Sequence, residues 1–305
     1  MKLKRLIIPT GFLLILFFAV IFTVIRAQIA NSGISVYPTN FDITAIPGQK
    51  ASGVITVDNL TAQPIQIRVD LRNFTALGEE GSVTLTTEDT AFSLAKWIKV
   101  QPETMLIKPH DSQDFAFTII APVNAEPGGH FGSIVFVTVP PPDLKGSGAS
   151  LSQEIGALIL YEIPGNAKEQ ATLESFAADK SFYEFGPVTF GARVKNEGAI
   201  HVAPAGSVLV KGWFGQKFLV PLDMRNVLPN AVRRIPATLN KKILIGNYTA
   251  TLIATYGTKG QQLYASTQFF AFPTRYGVVI LIILIILFLA RKRIGKSLKI
   301  LLTGK

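Results

Sequence analysis

Ser93-Leu94-Ala95-Lys96 sets a hydroxyl and an amine three residues apart, the spacing at which a lysine on a helix deprotonates a serine nucleophile. The Ser-Asp-Asn and Lys-Thr-Gly segments that accompany this pair in penicillin-binding proteins are missing. A pattern with two fixed positions arises about once by chance in a chain of this length. His110, His130 and His201 are scattered, with no His-Glu-x-x-His or other metal-ligand spacing, so each reads as a structural or solvated histidine. The absence of cysteine excludes a thiol nucleophile, a thiolate-bound metal and a disulfide framework. There is no Gly-x-Ser-x-Gly elbow, phosphate-binding loop or dinucleotide fingerprint. The expectation is a protein that is not an enzyme and needs no cofactor or metal.

Binding chemistry is better represented. The two tryptophans lie in Lys96-Trp97-Ile98-Lys99 and Lys211-Gly212-Trp213-Phe214-Gly215. An exposed aromatic beside charge or glycine can stack on a sugar ring or anchor a protein partner. Trp97 has alternating neighbours, which favours a core or sheet-edge position. Trp213 and Phe214 share a glycine-flanked turn, which favours neither role over the other. Trp213, Phe214 and Trp97 are therefore the candidate binding residues.

Strands must carry these residues. Val188, Phe190, Ala192 and Val194 alternate with Thr189, Gly191, Arg193 and Lys195; Tyr248, Ala250, Leu252 and Ala254 alternate with Thr249, Thr251, Ile253 and Thr255. Ile65, Ile67, Val69 and Leu71 repeat the pattern, which is that of a strand with one buried face. Pro47-Gly48, Glu80-Gly81, Pro127-Gly128-Gly129, Glu197-Gly198 and Gly246-Asn247 punctuate the runs as turns do in a β-sandwich.

The pattern occurs twice. Val57-Asp58-Asn59 and Val194-Lys195-Asn196 each close a strand, and Phe131 and Tyr248 each open a later one behind a glycine turn. An aromatic there braces a sandwich corner, so both are expected to be fold residues. The first copy is the longer, and its extra residues are expected within Asn73–Trp97. Residues 140–152, rich in proline and glycine, read as a long hairpin loop because Ile155–Ile163 still completes the first sandwich. The hinge is placed at Pro164-Gly165-Asn166. Asn59, Asn73 and Asn247 each head a glycosylation sequon.

Charge gives the topology. Apolar runs at Leu6–Ile25 and Tyr276–Ala290 are flanked on their terminal sides by Lys2, Lys4 and Arg5, and by Arg291, Lys292, Arg293, Lys296, Lys299 and Lys305. Those nine charges account for nearly all of the formal net charge of +10. The basic balance is therefore a positive-inside signal and gives no reason to expect nucleic acid as a partner. The first run has a signal-peptide core but a poor cleavage site, and cleavage is favoured over retention as an anchor. The second spans about 22 Å as a helix. That is short of ~30 Å of hydrocarbon, so Tyr276, Arg275 and Arg291 must help at its ends.

The expected organisation is all-β: a signal peptide or anchor over 1–30, immunoglobulin-like domains over 31–165 and 166–273, a transmembrane helix over 274–292, and a basic cytoplasmic tail over 293–305. Ile34–Phe41, Pro47-Gly48-Gln49, Val57-Asp58-Asn59-Leu60-Thr61, Ile107-Lys108-Pro109, Phe115–Pro122 and Gly128–Ile134 together resemble the N-terminal domain of the WxL-interacting surface proteins. The resemblance implies a cell-envelope protein whose first domain binds peptidoglycan and whose second docks a surface protein. No ligand-binding residue carries over. The same domain also resembles periplasmic pilus chaperones. The expected function is that of a membrane-anchored, cell-surface adhesion or binding protein, its ectodomain extracellular or periplasmic, touching lipid through the C-terminal span. The alternative is a strand-donating chaperone or assembly factor, for which the apolar strand Ile155–Tyr161 is either the exposed edge required or simply an interior strand.

Overall fold

The structure, a computed structural model, describes residues 33–139 and 152–303. The N-terminal apolar run, nearly all of the proline-rich loop and the last two residues lie outside the described residues. By its contacts the chain divides into two compact units. The first holds the described residues up to Asn73, with Ser93–Ala125 and Phe131–Tyr161; the second holds Phe74–Phe92, Glu126–His130 and the chain from Glu162 onward.

The first ten strands are β1 (Ile34–Tyr37), β2 (Asn40–Thr44), β3 (Lys50–Asn59), β4 (Ile65–Leu77), β5 (Ser82–Thr86), β6 (Ile98–Gln101), β7 (Thr104–Ile107), β8 (Ser112–Ile120), β9 (Gly128–Val139) and β10 (Glu154–Ile163). One sheet runs β1-β3-β8-β6 and the other β2-β10-β9-β4-β5, with β7 also on β4. The next eight are β11 (Ala171–Ala178), β12 (Phe182–Tyr183), β13 (Val188–Asn196), β14 (Ala205–Gly212), β15 (Lys217–Pro221), β16 (Val232–Leu239), β17 (Gly246–Tyr256) and β18 (Gln261–Ala271). They form sheets β11-β13-β16 and β12-β18-β17-β14-β15.

These orders superimpose strand for strand: β1, β3 and β8 match β11, β13 and β16, while β2, β10, β9, β4 and β5 match β12, β18, β17, β14 and β15. In both copies the leading strand is split between the two sheets. Among the described residues the fold is thus all-β up to the C-terminal helix, built as two immunoglobulin-like sandwiches. Only the first copy has β6 and β7, so its extra length runs on past the expected Trp97 to Ile107. The alternating residues fill the cores. Phe115 on β8 meets Phe136 on β9 edge-on at 5.0 Å between ring centroids, and Phe190 on β13 meets Phe269 on β18 at 5.8 Å.

A buried amide closes the same corner in each copy. Asn59, 1% exposed, donates through Nδ2 to the carbonyls of Gln63, Ile107 and Lys108 and accepts from Thr61 through Oδ1. Asn196, fully buried, donates to Ile200 and Val227 and accepts from the N–H of Gly198. An amide can satisfy backbone donors and acceptors at once, which a buried turn requires. Of the three sequon asparagines, Asn59 and Asn73 are buried and Asn247 is exposed.

Strand β10 lies between β2 and β9, so Ile155–Tyr161 belongs to an interior strand and is not an open edge. Its apolar character follows from being covered on both sides, Ile159 and Tyr161 being fully buried. The chain closes in α1 (Thr274–Thr303), which begins two residues after β18 and is long and apolar enough over Thr274–Arg291 to cross a membrane.

Candidate functional site

The serine and lysine of the first motif sit on a structural plug. Ser93 forms an isolated bridge with Phe131, Leu94 is fully buried, and Ala95–Trp97 make one 3-10 turn. The buried Asn73 holds the plug by accepting from the N–H groups of Leu94 and Ala95 at 3.0 and 2.9 Å. Gly132 lies beneath: a β-carbon there would stand 3.0 Å from that of Leu94, so any larger residue would have to push the plug outward. Lys96 points outward at the surface. The residues around the pair thus serve packing. His110 is exposed, His201 half-buried and His130 buried on β9, and among the described residues no three His, Asp or Glu side chains group to hold a metal.

The tryptophans have opposite surroundings. Trp97 is half-buried and meets the ring of Tyr161 edge-on at 6.3 Å. Trp213 and Phe214 are 75% and 70% exposed and lie stacked on each other, centroids 6.4 Å apart. Their turn joins β14 to β15, closed by hydrogen bonds from Gly212 N to Gln216 O and from Gly215 N to Gly212 O. Gly215 has φ of +83°, a conformation that glycine alone adopts without strain. Trp213 N also donates to Asn247 O at 3.0 Å, fixing the turn to β17.

Strand register locates this turn. Gly212 pairs with Tyr248, Tyr248 with Phe269, and Gly246 with Ala271, the last residue of β18. The aromatic turn therefore projects from the same end of the five-stranded sheet as the start of α1. Around it at that end are Ile243 and Ile245, which are exposed, and Phe182, which stacks on Phe270 at 5.9 Å.

The helix start is strapped to the sandwich. Glu184 accepts from Thr274 Oγ1 at 2.8 Å and from the Arg275 N–H at 3.0 Å, and faces the Arg275 guanidinium at 3.4 Å. The hydrogen bond from Thr274, joined by that from Arg275, holds this carboxyl below the usual carboxylate range. Phe272 N donates to Tyr183 O, and Phe185 meets Tyr276 edge-on at 5.6 Å. Below these, Tyr183 OH donates to Asp179, and burial pushes the Tyr183 phenol up.

Sequence reasoning found the aromatic turn and missed the strap. Glu184 and its partners lie 90 and 91 residues apart, and no local pattern signals such a pairing. The one available hint is that the apolar span opens without an acidic residue of its own in its first turn.

No protein-family model and no curated protein matches the chain. Among solved structures it overlaps a chain of the chaperone–tip adhesin complex of CFA/I fimbriae biogenesis with a TM-score of 0.41 at 13% identity, over 77% of this chain and 98% of that one. The class 5 fimbriae chaperone CfaA gives 0.39 at 13%, over 77% and 99%. The CsuC–CsuE chaperone–tip adhesion subunit complex of Acinetobacter baumannii gives 0.38 at 11%, over 77% and 97%. The resemblance to WxL-interacting proteins has no counterpart among these, and overlap at this level decides neither family nor partner.

Proposed function

We propose that this chain is a membrane-anchored binding protein of the cell envelope. In this reading α1 spans the bilayer, the basic segment from Arg291 is cytoplasmic, and both sandwiches stand on the outer side to hold a partner close to the membrane. The observation that carries the reading is the junction at Thr274, where an apolar helix leaves the second sandwich after only Phe272 and Pro273 and is fastened to it by Glu184. The apolar stretch of Thr274–Arg291 is about 27 Å long at 1.5 Å per residue. That nearly matches the ~30 Å of hydrocarbon. The resemblance to WxL-interacting proteins makes peptidoglycan or another surface protein the partner to try first.

A strand-adding assembly factor is the second reading. With β10 enclosed, the strands that favour it are β1 and β6, four residues each, which end the first sheet on either side. A client strand could extend such a rim by backbone hydrogen bonds. Protease added to intact cells tests the anchor: the ectodomain should be digested and a fragment carrying Arg291–Lys305 protected. Digestion of that tail from outside would overturn the reading. Capture of peptidoglycan or envelope proteins by the full chain then separates holding from assembly, since an assembly factor releases its client.

A further inference from the structure

We infer that the Trp213–Phe214 turn is a second membrane contact, seated in the outer headgroup layer beside α1, with the lysines around it on lipid phosphates. The inference rests on the proposed span and assigns the turn to lipid instead of to a distant partner.

Geometry leaves the turn little choice of surroundings. Two residues separate β18 from α1, so Ala271 and Thr274 are at most about 11 Å apart. The turn leaves β14, two strands from β18 across β17, or about 10 Å sideways at the usual strand spacing. Gly212 stands level with Phe269, so Trp213 and Phe214 reach to or past the level of Ala271, where the chain departs for the bilayer. The headgroup layer is roughly 5–7 Å deep on each face. A bilayer around α1 therefore meets this rim of the sandwich.

Composition agrees with the position. Tryptophan and its aromatic neighbours favour the interface, where an apolar ring and a polar edge are both accommodated. Ile243 and Ile245, 56% and 44% exposed, add apolar surface to the rim. Lys180, Lys211, Lys217, Lys241 and Lys242 are exposed at this end, against the carboxylates of Asp179 and Glu184. An excess of ammonium groups beside exposed rings suits a phosphate-bearing surface. The stacked pair is also pre-shaped, because Trp213 N is bonded to β17 and Gly215 fixes the turn.

The chain has two tryptophans and no cysteine, which makes the test direct. The full chain carrying Trp97→Phe, with Trp213 as its one fluorophore, is reconstituted in phosphatidylcholine vesicles holding a minority of phosphatidylglycerol. Replacing the lipid by one brominated near the headgroup end of its acyl chains should remove about half of the emission, with a blue shift relative to detergent-free denatured chain, as for an interfacial indole. The converse protein, Trp213→Phe with Trp97 retained, should be unaffected. Phe288→Trp in a chain lacking both native tryptophans reports on α1. If that residue is quenched and Trp213 is not, the second contact is overturned while the span stands. If neither is quenched, both fall. Should Trp97→Phe fail to fold, Phe214→Cys carrying an environment-sensitive dye reads the same contact, and emission unchanged by vesicles would overturn it.

Discussion

Trp97 and Trp213 each follow a lysine within two residues and precede a second apolar residue, and the fold uses them in opposite ways. Trp97 follows a plug that Asn73 and Gly132 draw inward, and Tyr161 braces its ring. Trp213 tops a turn whose backbone is held on β17 while its ring is left outside. What separates them is the backbone beneath. In a 3-10 turn residues three apart lie on one side, so Trp97 shares the inward side of the buried Leu94, whereas a glycine-closed hairpin has no inward side to offer.

The largest test of that contrast lies in the residues that hold each site up. Phe131 and Tyr248 occupy matching strands, each 2% exposed, and Tyr248 stacks on Phe269 at 5.1 Å. Replacing either by alanine should lower stability by about 3–5 kcal/mol, measured by denaturant unfolding of the full chain in detergent. An unchanged melting midpoint with lost partner capture would instead make them ligand residues.

A smaller difference should separate the tryptophans themselves. Trp97→Ala should cost about 2 kcal/mol, part of the penalty for a fully buried ring. Trp213→Ala combined with Phe214→Ala should stay within about 0.5 kcal/mol of the parent in detergent, as exposed substitutions do. Equal penalties would mean that the aromatic turn is packed, and would break the comparison.

The smallest effect is local and depends on pH. Glu184 has a lowered pKa in the folded chain, so its strap contributes fully above the ordinary carboxylate value of about 4.3 and is lost only as pH falls through the lower folded value. Proteolysis of the Phe272–Arg275 junction should therefore be flat from neutrality down to about that pH and rise below it. Glu184→Gln should raise it at every pH. A junction cut equally fast in both proteins would show that the strap holds nothing.

Much of this architecture could be read from the residues. The alternation in Val188–Val194 and Tyr248–Ala254 named strands that are present and the faces that they bury, because period two leaves no other regular structure. The pairing of Asn59 with Asn196 and of Phe131 with Tyr248 disclosed the repeat that the sheet orders confirm. Three features were beyond reach. The amide roles of Asn59 and Asn196 depend on carbonyls up to 49 residues away. The enclosure of β10 by β2 depends on how the leading strand divides between sheets, which local pattern does not encode. That Trp213 shares an end of the sheet with Thr274 follows only from register accumulated over three strands.

The two-residue junction between β18 and α1 has one more consequence, for how an encounter with a partner would be made. A protein on a flexible tether searches a volume set by the square root of its linker length and captures what enters it. Here there is no such leash: Glu184, Phe185 and Tyr183 hold the helix start against the sandwich. If α1 spans the bilayer, the second sandwich travels as a post, with nearly fixed tilt and height. Its meetings with other membrane-bound molecules then become a search in two dimensions by lateral diffusion, at an effective concentration fixed by the stiffness of the post. Inserting a few glycines and serines at Pro273 would convert the post into a leash without touching either sandwich.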